Sequence, residues 1–217
     1  MKYIIYIVLF TCTFESCSTG TSNNSGETTK EFEGKITYIT EVVSKSPGFS
    51  TAQLQSFYGD TMTMFIKHGK YRMSHNGIDV KDEYYFSKNN FQYTYRNGID
   101  TLYANSCDTE KDKLIKSEFE SVAEIILNRK CSHITNAVGI YRYHYWYDPD
   151  MYIDPQNFEN HHFGYLNVYY EKAKAIWIKH KYEGVKFDLI YTAIKIEELS
   201  PDDSIFNLPD LPESILK

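Results

Sequence analysis

The sequence predicts the mainly β (α+β) class: a single curved antiparallel sheet with one or two short helices over it. Three observations predict it. Apolar and polar residues alternate over long stretches, the period of a half-buried strand. The breaks between these stretches carry hairpin turn residues. The helical period appears in one clear window only.

At the N-terminus, Met1-Lys2-Tyr3 carries one positive charge and Ile4 to Phe10 follow as an apolar run. Such a run is too short for a bilayer span, which takes about 20 residues, and it suits the apolar region of a secretory signal. Cys12 and Cys17 come next, then a polar stretch from Ser18 to Thr29. An apolar run, a small residue, a Cys and a polar tether resemble a bacterial lipoprotein signal, and an ordinary secretory signal is the alternative. The resemblance implies that the Cys becomes the diacylated first residue of the mature chain. Cys17 stands where the tether begins; Cys12 is the second choice. Two or three acyl chains hold a soluble body on a membrane where one is marginal. The expected organisation is a signal peptide over 1–16, lipidated Cys17 and a tether over 17–31, a sheet domain over 32–212, and a tail over 213–217. The expected location is the bacterial cell envelope, lipid-anchored at the periplasmic or surface face of the outer membrane.

Within the domain, Ile36, Tyr38, Thr40 and Val42 share one face of the first strand, against Thr37, Ile39, Glu41 and Val43. Met62, Met64 and Ile66 form a second apolar face. Near the end, Ile176, Ile178, His180 and Tyr182 lie opposite Trp177, Lys179 and Lys181, and Val185, Phe187, Leu189 and Tyr191 form the next face. Asn76-Gly77 and Asn97-Gly98 suit two-residue type I′ turns, whose central residues need positive φ. Asn89-Asn90 and Glu183-Gly184 are weaker forms of this signal, and His68-Gly69 and the segment 142–148 fit it less closely. Turns at this spacing imply a meander, with sequence neighbours paired in the sheet.

Ser117 to Leu127 is the expected helix. Ser117 and Glu120 have capping-box spacing, and Phe119, Val122, Ala123 and Ile126 fall on one helical face. A short turn is expected at Asp154-Pro155, with Asp as N-cap and Pro first.

Composition limits function. The net charge of −6 over 217 residues argues against a nucleic-acid partner, which demands a basic surface. Past the signal only Cys107 and Cys131 remain, an even pair in an oxidising compartment. A disulfide between them would close a loop of about 25 residues and contribute roughly 3 kcal/mol; two buried free thiols are the alternative. The sequence has no Gly-x-Ser-x-Gly and no phosphate-binding glycine loop, so neither catalysis nor a cofactor is expected. His161-His162 suits a solvated loop better than a metal site, since adjacent strand residues face opposite ways. Asp202-Asp203 and Glu197-Glu198 suit solvated surface.

Several segments, Ile126 to Cys131, Tyr145 to Asp148 with Ile153 to Phe158, and Tyr191 to Ile196 with Asp203 to Pro209, resemble elements of the DUF4412-like and LolA/LolB-like periplasmic lipoproteins. Asn128 stands where that family usually carries Gly. The Lys, Asn, Ile and Tyr content suits a Bacteroidetes-type lipoprotein. The resemblance implies a half-open, strongly curved sheet (a half-open barrel) closed on one side by helices, with an apolar concave face that carries lipids or lipoproteins.

Aromatic residues are abundant, with 20 Tyr, 13 Phe and 2 Trp. Tyr141, Tyr143, Tyr145 and Tyr147 share one strand face opposite Arg142, His144, Trp146 and Asp148, and Tyr165, Tyr169 and Tyr170 follow. Rings favour half-buried strands anyway, but amphipathic rings also line small-molecule sites. The expected ligand is hydrophobic, a lipid or a lipoprotein acyl chain. Tyr38, Met64, Phe86, Tyr93, Trp146 and Trp177 are the candidate lining residues, chosen from alternation. A surface module for a glycan or an envelope protein, or a purely structural lipoprotein, are the other readings.

Overall fold

The structure, a computed structural model, describes residues 30–216. The signal peptide, Cys12, Cys17 and nearly all of the 17–31 tether lie outside the described residues. Among the described residues the chain order is β1 (Gly34–Ser44), α1 (Thr51–Tyr58), β2 (Thr61–Lys67), β3 (Lys70–His75), β4 (Val80–Phe86), β5 (Phe91–Arg96) and β6 (Leu102–Ser106). Then come β7 (Leu114–Ile126), β8 (Arg129–Val138), β9 (Tyr141–Tyr152), α2 (Leu166–Ala173), β10 (Ala175–Glu183), β11 (Phe187–Glu198) and β12 (Glu213–Ile215). Short 3-10 turns lie at Pro155–Phe158, Phe163–Tyr165 and Asp203–Phe206.

All these strands belong to one open sheet, in the order β12-β6-β5-β4-β3-β2-β1-β11-β10-β9-β8-β7. Pairing is antiparallel except where β12 lies parallel on β6. The fold is therefore mainly β with one antiparallel-dominated sheet and two short helices, the class the sequence predicts. No helix among the described residues is long and apolar enough to cross a membrane.

Alternation sets the register. Ile36, Tyr38, Thr40 and Val42 are buried on β1 while Ile39 and Val43 are exposed, and Met62, Met64 and Ile66 are buried on β2. Beyond Ile39, β1 has run past its β2 partner, and α1 takes over that edge. Gln55 donates its amide to Thr40 O (2.8 Å) and accepts from Val42 N–H (3.1 Å), as a neighbouring strand would. The helix begins in a capping box between Ser50 and Gln53, a signal the sequence carries but the helical period alone does not find.

Turn residues behave less simply. Asn76-Gly77 and Asn97-Gly98 fall in the longer connections 76–79 and 97–101. Gly77 is required by close approach: a Cβ there would lie 2.3 Å from Phe57 O. Two-residue turns with positive φ at both positions occur instead at His68-Gly69 (43° and 68°) and Leu127-Asn128 (49° and 62°). Asn128 thus takes the left-handed role of glycine, as Asn tolerates.

Several expectations are corrected. Residues 117–127 form a strand and turn, not a helix. Ser117 donates its hydroxyl to Asn136 Oδ1 (2.6 Å) instead of capping a helix, and Phe119 is 61% exposed. Pairing with β8 overrides the local helical stripe, at the cost of a bulge between Glu120 and Glu124. The segment 142–148 lies inside β9, not in a turn, and the expected tail at 213–217 begins with β12. Among the described residues, Cys107 and Cys131 are buried free thiols and form no disulfide with each other. Cys107 follows β6 and Cys131 lies in β8, near opposite ends of the sheet order. His161, expected in a solvated loop, is fully buried beside Tyr85, with ring centres 4.4 Å apart. At Asp154-Pro155 the expected turn is present, with the Asp154 carboxylate accepting from Gln156 N–H.

The main core lies on the inner face of the sheet, under α2 and the 154–165 segment. A second cluster, Tyr84, Tyr93, Leu102 and Ala104, lies on the outer face against Leu208 and Leu211 of the C-terminal segment.

Candidate functional site

The inner face encloses a cavity of about 310 Å³. Gln92 of β5, Glu83 of β4, Tyr71 and Met73 of β3, and Met64 of β2 form one wall. Tyr143 and Tyr145 of β9, Trp177, His180 and Tyr182 of β10, and Leu189 and Tyr191 of β11 form the other. β5 and β9 stand seven places apart in the sheet order, about 34 Å on a flat sheet. One cavity of this volume touches both because the sheet curls back on itself.

Phe163, Gly164, Leu166 and Tyr170 close the remaining side. The closing segment is held from outside. Gly164 N–H donates to Glu110 Oε2 (2.7 Å), and the Tyr165 hydroxyl donates to Asp112 O (3.1 Å) while accepting from Leu114 N–H (2.9 Å). Those anchors fix a backbone that turns through positive φ at Gly164 (61°) and Tyr165 (54°). Phe163, half exposed, stands at the rim.

A bulge aims Trp177 inward. Trp177 pairs with Tyr147 and Lys179 with Trp146, so two steps on β10 match one on β9. Strict alternation would leave Trp177 facing the other way from His180 and Tyr182. With the bulge, all three line the cavity.

Few polar groups reach this wall. Among the described residues, Glu83 is its one carboxylate: His75 Nε2 lies 3.1 Å from Oε2, and Gln92 Nε2 donates to Oε1 at 3.1 Å. The His180 ring stacks with Tyr145 (4.8 Å), Tyr191 (6.2 Å) and Tyr143 (6.3 Å). Burial, then the nearby His144, push its imidazole down to about 3, so it is neutral at physiological pH. Among the described residues its Nε2 has no hydrogen-bond partner. Burial raises the hydroxyls of Tyr143, Tyr145 and Tyr191 above their usual range, and that of Tyr182 up to about 12. These hydroxyls remain neutral hydrogen-bonding groups.

No family model matches the chain. Nor does any curated protein. Among solved structures, PNGF-II in a C2 space group is similar at 15% identity, and PNGF-II in a P21 space group at 12%. Each match covers 84% of this chain, which spans about a third of the PNGF-II chain (31% and 32%), with a TM-score of 0.44. A likeness that low carries no argument about fold or activity.

The six candidate lining residues separate cleanly. Met64 and Trp177 line the cavity. Tyr38 is fully buried one layer behind, its hydroxyl donating to Trp177 O (2.9 Å) and its ring 4.8 Å from that indole. Phe86 and Tyr93 belong to the outer cluster under the C-terminal segment. Trp146 also faces outward, stacked on His133 (4.3 Å) with Lys179 Nζ 4.6 Å above its ring. Alternation identifies faces within one strand, but a curled sheet decides which face is concave. Glu83, Gln92 and His180 also line the cavity, and their one sequence signal is a polar residue among apolar neighbours on a strand face.

Among the described residues, no group of three or more His, Cys, Asp or Glu is placed to hold a metal ion. What the arrangement offers is a small aromatic enclosure with one carboxylate and several neutral hydrogen-bonding groups.

Proposed function

We propose that this protein is a non-catalytic lipoprotein, anchored in the bacterial envelope through acyl chains on Cys17, whose sheet domain binds a hydrophobic ligand. The observation that carries this reading is the cavity itself: aromatic and aliphatic side chains from both limbs of the curled sheet, with few polar groups, the usual make-up of a small-molecule site. Its 310 Å³ equals about ten water volumes. A long acyl chain would therefore insert only in part, past Phe163 at the rim.

The test is mass spectrometry of residues 18–217 purified under native conditions, with the organic extract analysed alongside. The expected result is a stoichiometric small molecule or lipid, lost in Trp177→Ala while the urea midpoint shows a folded domain. An empty protein that also ignores added apolar compounds would sink the reading.

A second reading, a surface module for a glycan or an envelope protein, draws support from the outer face. Lys179, Trp146, His133 and His144 form a continuous stack there, with His133 and His144 centres 5.4 Å apart. Under that reading Trp146→Ala abolishes binding and Trp177→Ala spares it.

A further inference from the structure

We propose that the cavity selects a free organic ammonium cation with an apolar body, held between aromatic rings and the Glu83 carboxylate. This rests on the reading of the cavity as a binding site and names the class of ligand.

The argument is one of charge. Among the described residues, no lysine or arginine lines the wall; Glu83 is its one acidic group. The wall's histidine, His180, is held neutral by burial. A fatty acid carboxylate would enter a low-dielectric site with no cation to meet it and one carboxylate to oppose it. Each Glu83 oxygen has one hydrogen-bond partner, His75 on one side and Gln92 on the other. A carboxylate offers about four acceptor sites, so lone pairs remain for a ligand. That carboxylate also acts on a neighbouring ring, raising the Tyr191 hydroxyl further after burial.

Ring geometry points the same way. Tyr143 and Tyr182 centres lie 5.6 Å apart, and Trp177 and Tyr191 6.3 Å apart, on the wall opposite Glu83. Aromatic faces attract cations through the ring quadrupole, most strongly where water is excluded, and enclosures of this kind recognise quaternary ammonium groups. A phosphocholine lipid would bring its phosphate into a wall without a cation, so a free cation is the better occupant.

The experiment uses the full chain carrying Cys12→Ser and Cys17→Ser, which removes acylation. Calorimetric titration compares benzyltrimethylammonium, its uncharged carbon isostere neopentylbenzene, the anion 4-phenylbutanoate and short-chain dihexanoylphosphatidylcholine. The cation should bind at least about tenfold tighter than the isostere, with the anion weakest. Glu83→Gln, close in shape, should erase the preference; Tyr182→Leu should weaken cation binding while leaving the carboxylate in place. If the isostere or the anion binds as tightly as the cation, the charge argument is overturned and the hydrophobic-site reading stands. Tighter binding of the phosphatidylcholine would overturn the assignment to a free cation. If none of the four binds, both readings fall.

Discussion

His180 and His161 show how much a single buried imidazole does here. Burial holds His180 at about 3 and His161 at about 4, so both enter the folded state unprotonated. In the unfolded chain each takes up a proton near the ordinary histidine value of about 6.5. Below that pH the unfolded state binds more protons, so stability falls as pH drops, by about 1.4 kcal/mol per unit for each residue. The effect spans about pH 6.5 down to the depressed folded values. His133 and His144, also lowered by burial, add in the same direction. Carboxylates whose values are lowered by partners, such as Asp188 beside Lys45 and Lys181, act only below about pH 4. Urea midpoints measured between pH 4.5 and 7 should therefore climb steeply, and His180→Gln should flatten that slope by close to one proton. An unchanged slope would mean that His180 is protonated in the folded protein. None of this was legible in the sequence. His180 alternates correctly on β10, but whether an alternating histidine meets water or rings depends on the curl of a sheet built from residues more than a hundred positions apart.

Strands were the legible elements, because period two is a local property and each run carries it whole. Helices were not. Residues 117–127 satisfy a helical stripe, yet β8 offers a long partner, and pairing with it leaves Ile115, Phe119 and Ile125 between 61% and 68% exposed on the last strand of the sheet. α1 carries a legible cap in Ser50 and Gln53 but no apolar stripe, because Leu54 is the one buried residue of the helix. α2 begins after a left-handed Tyr165 with no side-chain cap, so its start carries no sequence signal. The exposed row on β7 has a consequence. A long apolar edge strand is a template for pairing with another chain. Phe119→Lys with Ile125→Lys should slow aggregation of the concentrated protein, followed by light scattering, with the unfolding free energy from urea titration changed by less than about 0.5 kcal/mol per site as for surface positions. A large loss of stability would show that β7 packs on something more than β8. Gln55→Ala should behave oppositely. Its loss leaves Thr40 O and Val42 N–H without their partners and should cost about 1–3 kcal/mol with ligand binding unchanged, since Gln55 does not line the cavity.

At the scale of the whole molecule, the cavity is where the two limbs of the sheet meet. Met64, Tyr71 and Glu83 come from the limb that ends in β12, and Tyr143, Trp177 and His180 from the limb that ends in β7. Each limb also carries one reporter. Cys107 follows β6 and Cys131 lies in β8, both fully buried and both free. Burial pushes the Cys107 thiol up to about 12 and raises Cys131 as well, so neither forms the reactive thiolate until its surroundings open. Alkylation of the unreduced protein in denaturant should therefore label both thiols, whereas a bridged pair would label neither. Under native conditions labelling should be slow and limited by opening. A ligand that binds only the folded cavity opposes any opening that separates the limbs, by about 2.7 kcal/mol at a concentration of 100 Kd. With a ligand at that concentration, labelling of Cys107 and of Cys131 should slow together, by about a hundredfold. Slowing at one thiol alone would show that the limb carrying the other opens without emptying the cavity, and the site would then belong to a single limb instead of the join between them.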